Sequence, residues 1–227
     1  EIAAGTPGYT LMQRAGAAAL AFLRQRWPRA ARVVVVVGPG NNGGDGLVLA
    51  RLAQEAGLTV SATLVGEVGR LRGEAAAAYT DLRATGMNVL PFNPTVLSQA
   101  DVIVDALLGI GVRLPLGDEC LHAIAAINAS GRPVLALDIP SGLDPDTGAA
   151  SQAVRATATL SFVALKQGHF LGDGPDYCGE LHCDALQVSS RGMRAAFHRL
   201  DDTALSNALQ PRPRQSHKAQ FGRVLIV

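Results

Sequence analysis

Arg32-Val33-Val34-Val35-Val36-Val37-Gly38-Pro39-Gly40-Asn41-Asn42-Gly43-Gly44-Asp45-Gly46 decides the fold. Five consecutive valines read as a strand buried on both faces, which is the signature of a parallel sheet covered by helices. The glycine-rich turn after them opens a helix expected over Asp45–Ala56 and stopped by Gly57. Gly38, Gly40 and Gly43 have the G-x-G-x-x-G spacing. Missing side chains there let a backbone approach a pyrophosphate, and a helix N-terminus offers it free N–H groups. A tight turn would explain the glycines alone. It would not explain Asn41, Asn42 and Asp45.

Outward from this stretch, apolar runs and helical patterns alternate. A first amphipathic helix is expected from about Tyr9 to Arg26. Further strands are expected at Leu58–Val65, Met87–Phe92, Asp101–Leu107, Val134–Asp138, Thr157–Ala164 and Glu180–Val188, and further helices at about Gly73–Ala84 and Glu119–Ala129. The alternation predicts an α/β fold: a three-layer, Rossmann-like domain with a mostly parallel central sheet and helices on both faces. Composition shifts at Gln210-Pro211-Arg212-Pro213-Arg214, which has linker character, and Phe221–Val227 reads as a strand that starts and is cut off. The expected division is therefore 1–209 for the main domain and 210–227 for a linker with the start of another.

Composition excludes several classes. The 227 residues are 48% hydrophobic and 17% charged, far from a disordered chain. A formal net charge of +1 and 4% aromatics disfavour a nucleic-acid partner. Three cysteines do not make a disulfide framework. The longest apolar run, Ala15–Leu23, falls short of the roughly 20 residues of a membrane span. The expectation is a cytoplasmic enzyme-sized domain with neither nucleic acid nor membrane as partner. Beginning at Glu1 without a methionine, the chain reads as part of a longer one.

Two more strands run into polar loops. Asp105 lies within Asp101–Gly111, an apolar run where an unpaired carboxylate is costly, and Asp138-Ile139-Pro140-Ser141-Gly142-Leu143-Asp144 follows the next strand. Asn42, Asp105 and Ser141 thus offer an amide, a carboxylate and a hydroxyl from neighbouring strand ends. Such an all-oxygen, singly charged set suits a monovalent cation such as potassium better than a transition metal. Zinc at His169, Cys178, His182 and Cys183 is disfavoured, because His182 and Cys183 are adjacent in a strand and face opposite ways. Lys166 is one of two lysines and follows the strand before Gly168. It reads equally as a ligand contact or as a solvated strand-end cation.

The stretches Gly38–Gly46, Asp105–Gly111 and Asp138–Gly142, in this order and spacing, closely resemble the NAD(P)H-hydrate epimerase family. The resemblance extends from Gly5-Thr6-Pro7 to about Val188, and Ser216–Val227 is similar to the start of an ADP-dependent dehydratase domain. It implies epimerisation of the R and S hydrates of NADH and NADPH (NADHX and NADPHX), a nicotinamide-nucleotide repair reaction, in the isomerase half of a bifunctional protein. It also implies that Asn41, Asn42, Gly43, Gly44, Asp45, Gly109, Ile110, Gly111, Val112, Arg113, Leu114, Pro115 and Asp138 meet the dinucleotide, and that Asn42, Asp105 and Ser141 hold potassium. Ile110 stands where many relatives have a small polar or aromatic residue. A homodimer is expected. Proton exchange with the substrate hydroxyl is assigned to Asp138, with Asp45 second. Two alternatives stand beside this reading. One is an NAD(P)-dependent dehydrogenase using Glu67 on a ribose; the other is a non-catalytic dinucleotide-binding or dimerisation module on the same fold.

Overall fold

The computed structural model of this chain describes residues 6–111 and 115–189, with Ser206 and Gln215. Compact packing divides the chain into residues 1–189, which hold the sheet and its helices, and residues 190–227. The expected linker at 210–214, the strand at 221–227 and the boundary at residue 209 lie outside the described residues.

Seven strands form one wholly parallel sheet. They are β1 (Arg32–Val37), β2 (Thr59–Leu64), β3 (Val89–Pro91), β4 (Val102–Ala106), β5 (Val134–Leu137), β6 (Ala158–Phe162) and β7 (Glu180–Asp184). Within residues 6–189 the helices described are α1 (Gly8–Arg26), α2 (Asn41–Glu55), α3 (Gly73–Ala84), α4 (Asp118–Ala129) and the single turn α5 (Gly174–Tyr177). All seven expected strands are present, each shorter than expected at one end or both, and so are all four expected helices.

The valines of β1 show how the layers arise. Val33, Val35 and Val37 enter one core with α1, α2 and α3, while Val34 and Val36 enter a second core with α4. Alternation along a single strand therefore feeds two cores, and every one of these valines is buried.

Strand order is β3-β2-β1-β4-β5-β6-β7. The chain runs outward from β1 to β3, returns to place β4 on the other side of β1, and then runs outward again. The two loops leaving β1 and β4 part in opposite directions, which opens a crevice at the carboxyl ends of these neighbours.

Helix α2 departs from expectation at its start. It begins at Asn41 rather than Asp45, with Gly40 as the extended cap, so the polar insert is the first turn of the helix and not a free loop. Close packing explains the glycines. A Cβ on Gly43 would run into the Gly38 carbonyl oxygen, and one on Gly44 into the Met12 side chain. These two residues, poor helix formers in isolation, let α2 lie against the end of β1 and against α1.

Candidate active site

Two cavities open at the carboxyl ends of the strands and share Asn41, Asp45, Ile110 and Asp138. One, about 430 Å³, is walled by Leu11, Met12, Ala15, Val163, Leu165 and Leu186, with Lys166 at its polar end. The other, about 670 Å³, runs from the Gly40 cap of α2 along Leu108, Gly109 and Gly111 towards Cys120 on α4. The site therefore has two lobes, one mostly apolar and one at a helix N-terminus, joined where two carboxyl groups stand.

Those two groups differ. Asp138 follows β5 with φ 65°, the left-handed region uncommon for a residue with a side chain. Its Oδ1 accepts the Phe162 N–H at 3.0 Å and is ion-paired with the Lys166 ammonium. That ammonium also donates to Ser161 Oγ at 3.0 Å and to the Phe162 carbonyl at 2.9 Å, so its three protons are all engaged. Val163, next along, has φ 64° as well. A β-branched residue there stores strain at the rim of the apolar lobe.

Asp45, by contrast, has no hydrogen-bond partner among the described residues and lines both lobes. Burial raises its proton affinity well above the usual carboxyl range; the Asp138 carboxylate adds to this, and the Lys166 charge partly offsets it. A carboxyl group of raised proton affinity thus stands near a carboxylate ion-paired with an ammonium.

Asn42, Asp105 and Ser141 are linked through the backbone of Leu108 and the Ser141 hydroxyl. Asn42 Nδ2 donates to the Leu108 carbonyl at 2.8 Å, and the Leu108 N–H donates to Ser141 Oγ at 2.8 Å. The Ser141 hydroxyl donates to Asp105 Oδ1 at 2.6 Å and its N–H to Oδ2 at 2.9 Å. Asp105 is fully buried, and among the described residues no basic side chain pairs with it. Burial lifts its carboxyl group to about 6 against the lowering effect of these hydrogen bonds. Among the described residues, the buried Asn42 Oδ1 has no hydrogen-bond partner. An orphaned amide oxygen and a buried carboxylate with no basic partner, linked through Leu108 and Ser141, fit a hard cation of low charge.

The sequence profile of the family described as YjeF-related protein N-terminus matches residues 8–168. The chain belongs to this family.

The YjeF-related domain is 44% identical over 230 residues to the bifunctional NAD(P)H-hydrate repair enzyme Nnr of Coxiella burnetii, covering 100% of this chain and 47% of that protein. It is 39% identical over 222 residues to the enzyme of the same name from Escherichia coli, covering 96% and 43%. The chain thus spans less than half the length of these relatives. The NAD(P)H-hydrate epimerase of Limosilactobacillus fermentum is 37% identical over 180 residues, covering 78% of this chain and 85% of that protein. A crystal structure of a yeast protein shares the fold, with a TM-score of 0.66 over 72% of this chain and 74% of that one, at 23% identity.

Within the YjeF-related domain, Asn41, Asn42, Asp45, Gly109, Ile110, Gly111 and Asp138 line the lobes. Gly43 and Gly44 are buried against Gly38 and Met12, and the space their missing side chains leave is filled by protein. Pro115 is exposed, and Val112, Arg113 and Leu114 lie outside the described residues. Lys166 is held at the site rather than solvated at a strand end. Sequence reasoning missed Ser161 and the structural part of His169, whose only signal was nearness to Lys166. Among the described residues, no three His, Cys, Asp or Glu side chains gather as a metal site. Nor is any helix there long and apolar enough to cross a membrane.

Proposed function

We propose that this domain interconverts the R and S hydrates of NADH and NADPH. The observation that carries the reading is Asp45: a partly buried carboxyl group with raised proton affinity and no protein partner among the described residues, at the junction of the two lobes. The names of the relatives support it, as does the fit of a two-lobed cavity to a dinucleotide.

The substrate carries a hydroxyl on a ring carbon beside the ring nitrogen. Asp45 donates its proton to that hydroxyl; the nitrogen lone pair expels water and leaves a planar iminium. Water adds to the opposite face and returns a proton to the Asp45 carboxylate, so atoms and charge balance and the centre is inverted. Ring opening to an aldehyde and reclosure would use the same proton. Asp138, expected to be the first proton donor, is instead read as the fixed anion that faces the developing cation, its Oδ1 being taken by Lys166 and the Phe162 N–H. The two aspartates thus exchange the roles the motifs alone suggested. The N-terminus of α2, capped by the open Gly40, receives phosphate in the second lobe. Asn42, Asp105 and Ser141 would hold potassium, which would tie three loops together and offset the buried charge of Asp105. The proposal also includes a homodimer in the cytoplasm and, from the lengths and names of the relatives, fusion to a second, dehydratase-like domain.

The dehydrogenase alternative loses ground: Glu67 is exposed and lines neither lobe. Proton NMR of a mixture of hydrate epimers tests the proposal. Interconversion accelerated by the protein in potassium buffer is the expected result, and a spontaneous rate in its presence overturns it.

A further inference from the structure

We propose that His169 is a positioning residue of this site: its neutral imidazole bridges the backbone of Lys166 to the backbone of Asp138 and so fixes the ammonium–carboxylate pair. His169 is 2% exposed and lies outside both lobes. Its Nδ1 accepts the Lys166 N–H at 3.1 Å. That nitrogen is therefore unprotonated, and the ring proton sits on Nε2, 3.1 Å from the Asp138 carbonyl, to which it donates. One ring thus joins the two main chains whose side chains make the ion pair, across 28 residues of sequence.

Three features separate this from a histidine that merely fills the core. Asp138 is held at φ 65°, a conformation that needs outside support, and the bond from Nε2 is to its own carbonyl. The 3-10 turn carrying the ring, Gln167–His169, is pressed onto the 144–145 backbone, where a Cβ on Gly168 would collide with the Asp144 carbonyl oxygen. The ring therefore has a rigid support. Finally, burial holds the imidazole below its ordinary proton affinity and the Lys166 charge acts the same way, while Asp138 opposes both. The neutral form is the one with an acceptor for Lys166 and a donor for Asp138; an imidazolium would set two donors against each other at Nδ1.

The inference rests on the reading that this ion pair faces the reacting centre, so its test has an arm that does not depend on activity. In ¹⁵N NMR of the wild-type protein, the resonance missing from His169→Gln should be a neutral, Nε2-protonated ring. The Asp138 side-chain ¹³C resonance should move in His169→Phe and stay near its wild-type position in His169→Gln, which keeps a donor near Nε2. In the kinetic arm, His169→Phe should lower kcat by about tenfold or more with KM within about twofold, as misdirected groups do, and His169→Gln should recover most of the loss. If the Phe variant does not fold, His169→Asn, whose shorter amide can accept the Lys166 N–H but is too short to bridge to the Asp138 carbonyl as well, replaces it with the same expectation. An Nδ1-protonated or charged ring, or an unmoved kcat and Asp138 resonance in the Phe or Asn variant, overturns the clamp. An inert wild type with the expected NMR signature would instead overturn the proposed function and leave the clamp standing.

Discussion

At Asp45 the needs of stability and chemistry oppose each other. The folded chain keeps this proton at pH values where the unfolded chain has released it, so folding takes up a proton. Stability contributed at this position is therefore highest in acid and is lost as pH rises from about 4, the ordinary aspartate value, towards the raised folded value. Asp45→Asn removes that loss. Its thermal denaturation should match wild type near pH 4 and lie a few degrees higher at pH 8, since about 1 kcal/mol is worth roughly 2–4 °C at this size. The same variant should bind the dinucleotide and epimerise about 10²-fold more slowly or worse. Calorimetry at the two pH values and saturated rates read the two effects separately; an unchanged rate would return the proton to Asp138 or to solvent. Asp138→Asn should behave differently. It strips Lys166 of its counter-charge in a largely buried setting, so its melting temperature should fall along with its rate.

Helix α2 separates two uses of glycine within four residues. Nothing lies within 4 Å of where a Gly40 Cβ would stand, whereas Gly43 is closed off by the Gly38 carbonyl. Gly40→Ala should leave the melting temperature unchanged and weaken NADP binding, because the added methyl enters the lobe where phosphate is expected. Gly43→Ala should cost about 1–3 kcal/mol of stability by overpacking, seen as a lower denaturant midpoint before any ligand is added. Equal stability of the two variants would contradict this division. The pair also shows what was legible. Val33–Val37 named a buried parallel strand through composition alone, and Asp105 and Ser141 stood out because polar residues interrupt apolar runs. The start of α2 was hidden because glycine's local preference argues against helix, and the reason it is overridden, packing on Gly38 and Met12, is tertiary. Lys166 and His169 were ambiguous for a related reason: their partner, Asp138, lies 28 and 31 residues away with no spacing to announce it.

On the scale of the whole domain, Asn42 on α2 and Ser141 after β5 both bond the backbone of Leu108, and Ser141 bonds Asp105 on β4, so a cation there would join both halves of the sheet. Potassium should therefore raise the melting temperature beyond what sodium does at equal ionic strength, with a gain of about 2.7 kcal/mol at a hundredfold excess over Kd. Asp105→Asn should abolish the difference between the two salts. An anomalous map from thallium-soaked crystals should show density at Asn42 Oδ1; a wild type indifferent to potassium would remove the cation from the proposal.

The order of strands also sets a schedule. β1 finds β2 through a short crossover, but its other neighbour, β4, lies beyond residues 38–101, which hold two more strands and two helices. Closing that longer loop costs more entropy before any contact repays it, and domains dominated by such distant pairings fold in milliseconds to seconds. No early partial structure can hold ligand, because the crevice does not exist until the two halves meet at β1 and β4. In a stopped-flow refolding experiment, the fluorescence of a bound reduced dinucleotide should therefore appear only with the slowest phase, after most of the helical signal has returned. A half-sheet formed before β4 docks would leave β1 as an open edge, the geometry most prone to pairing with other copies of the chain.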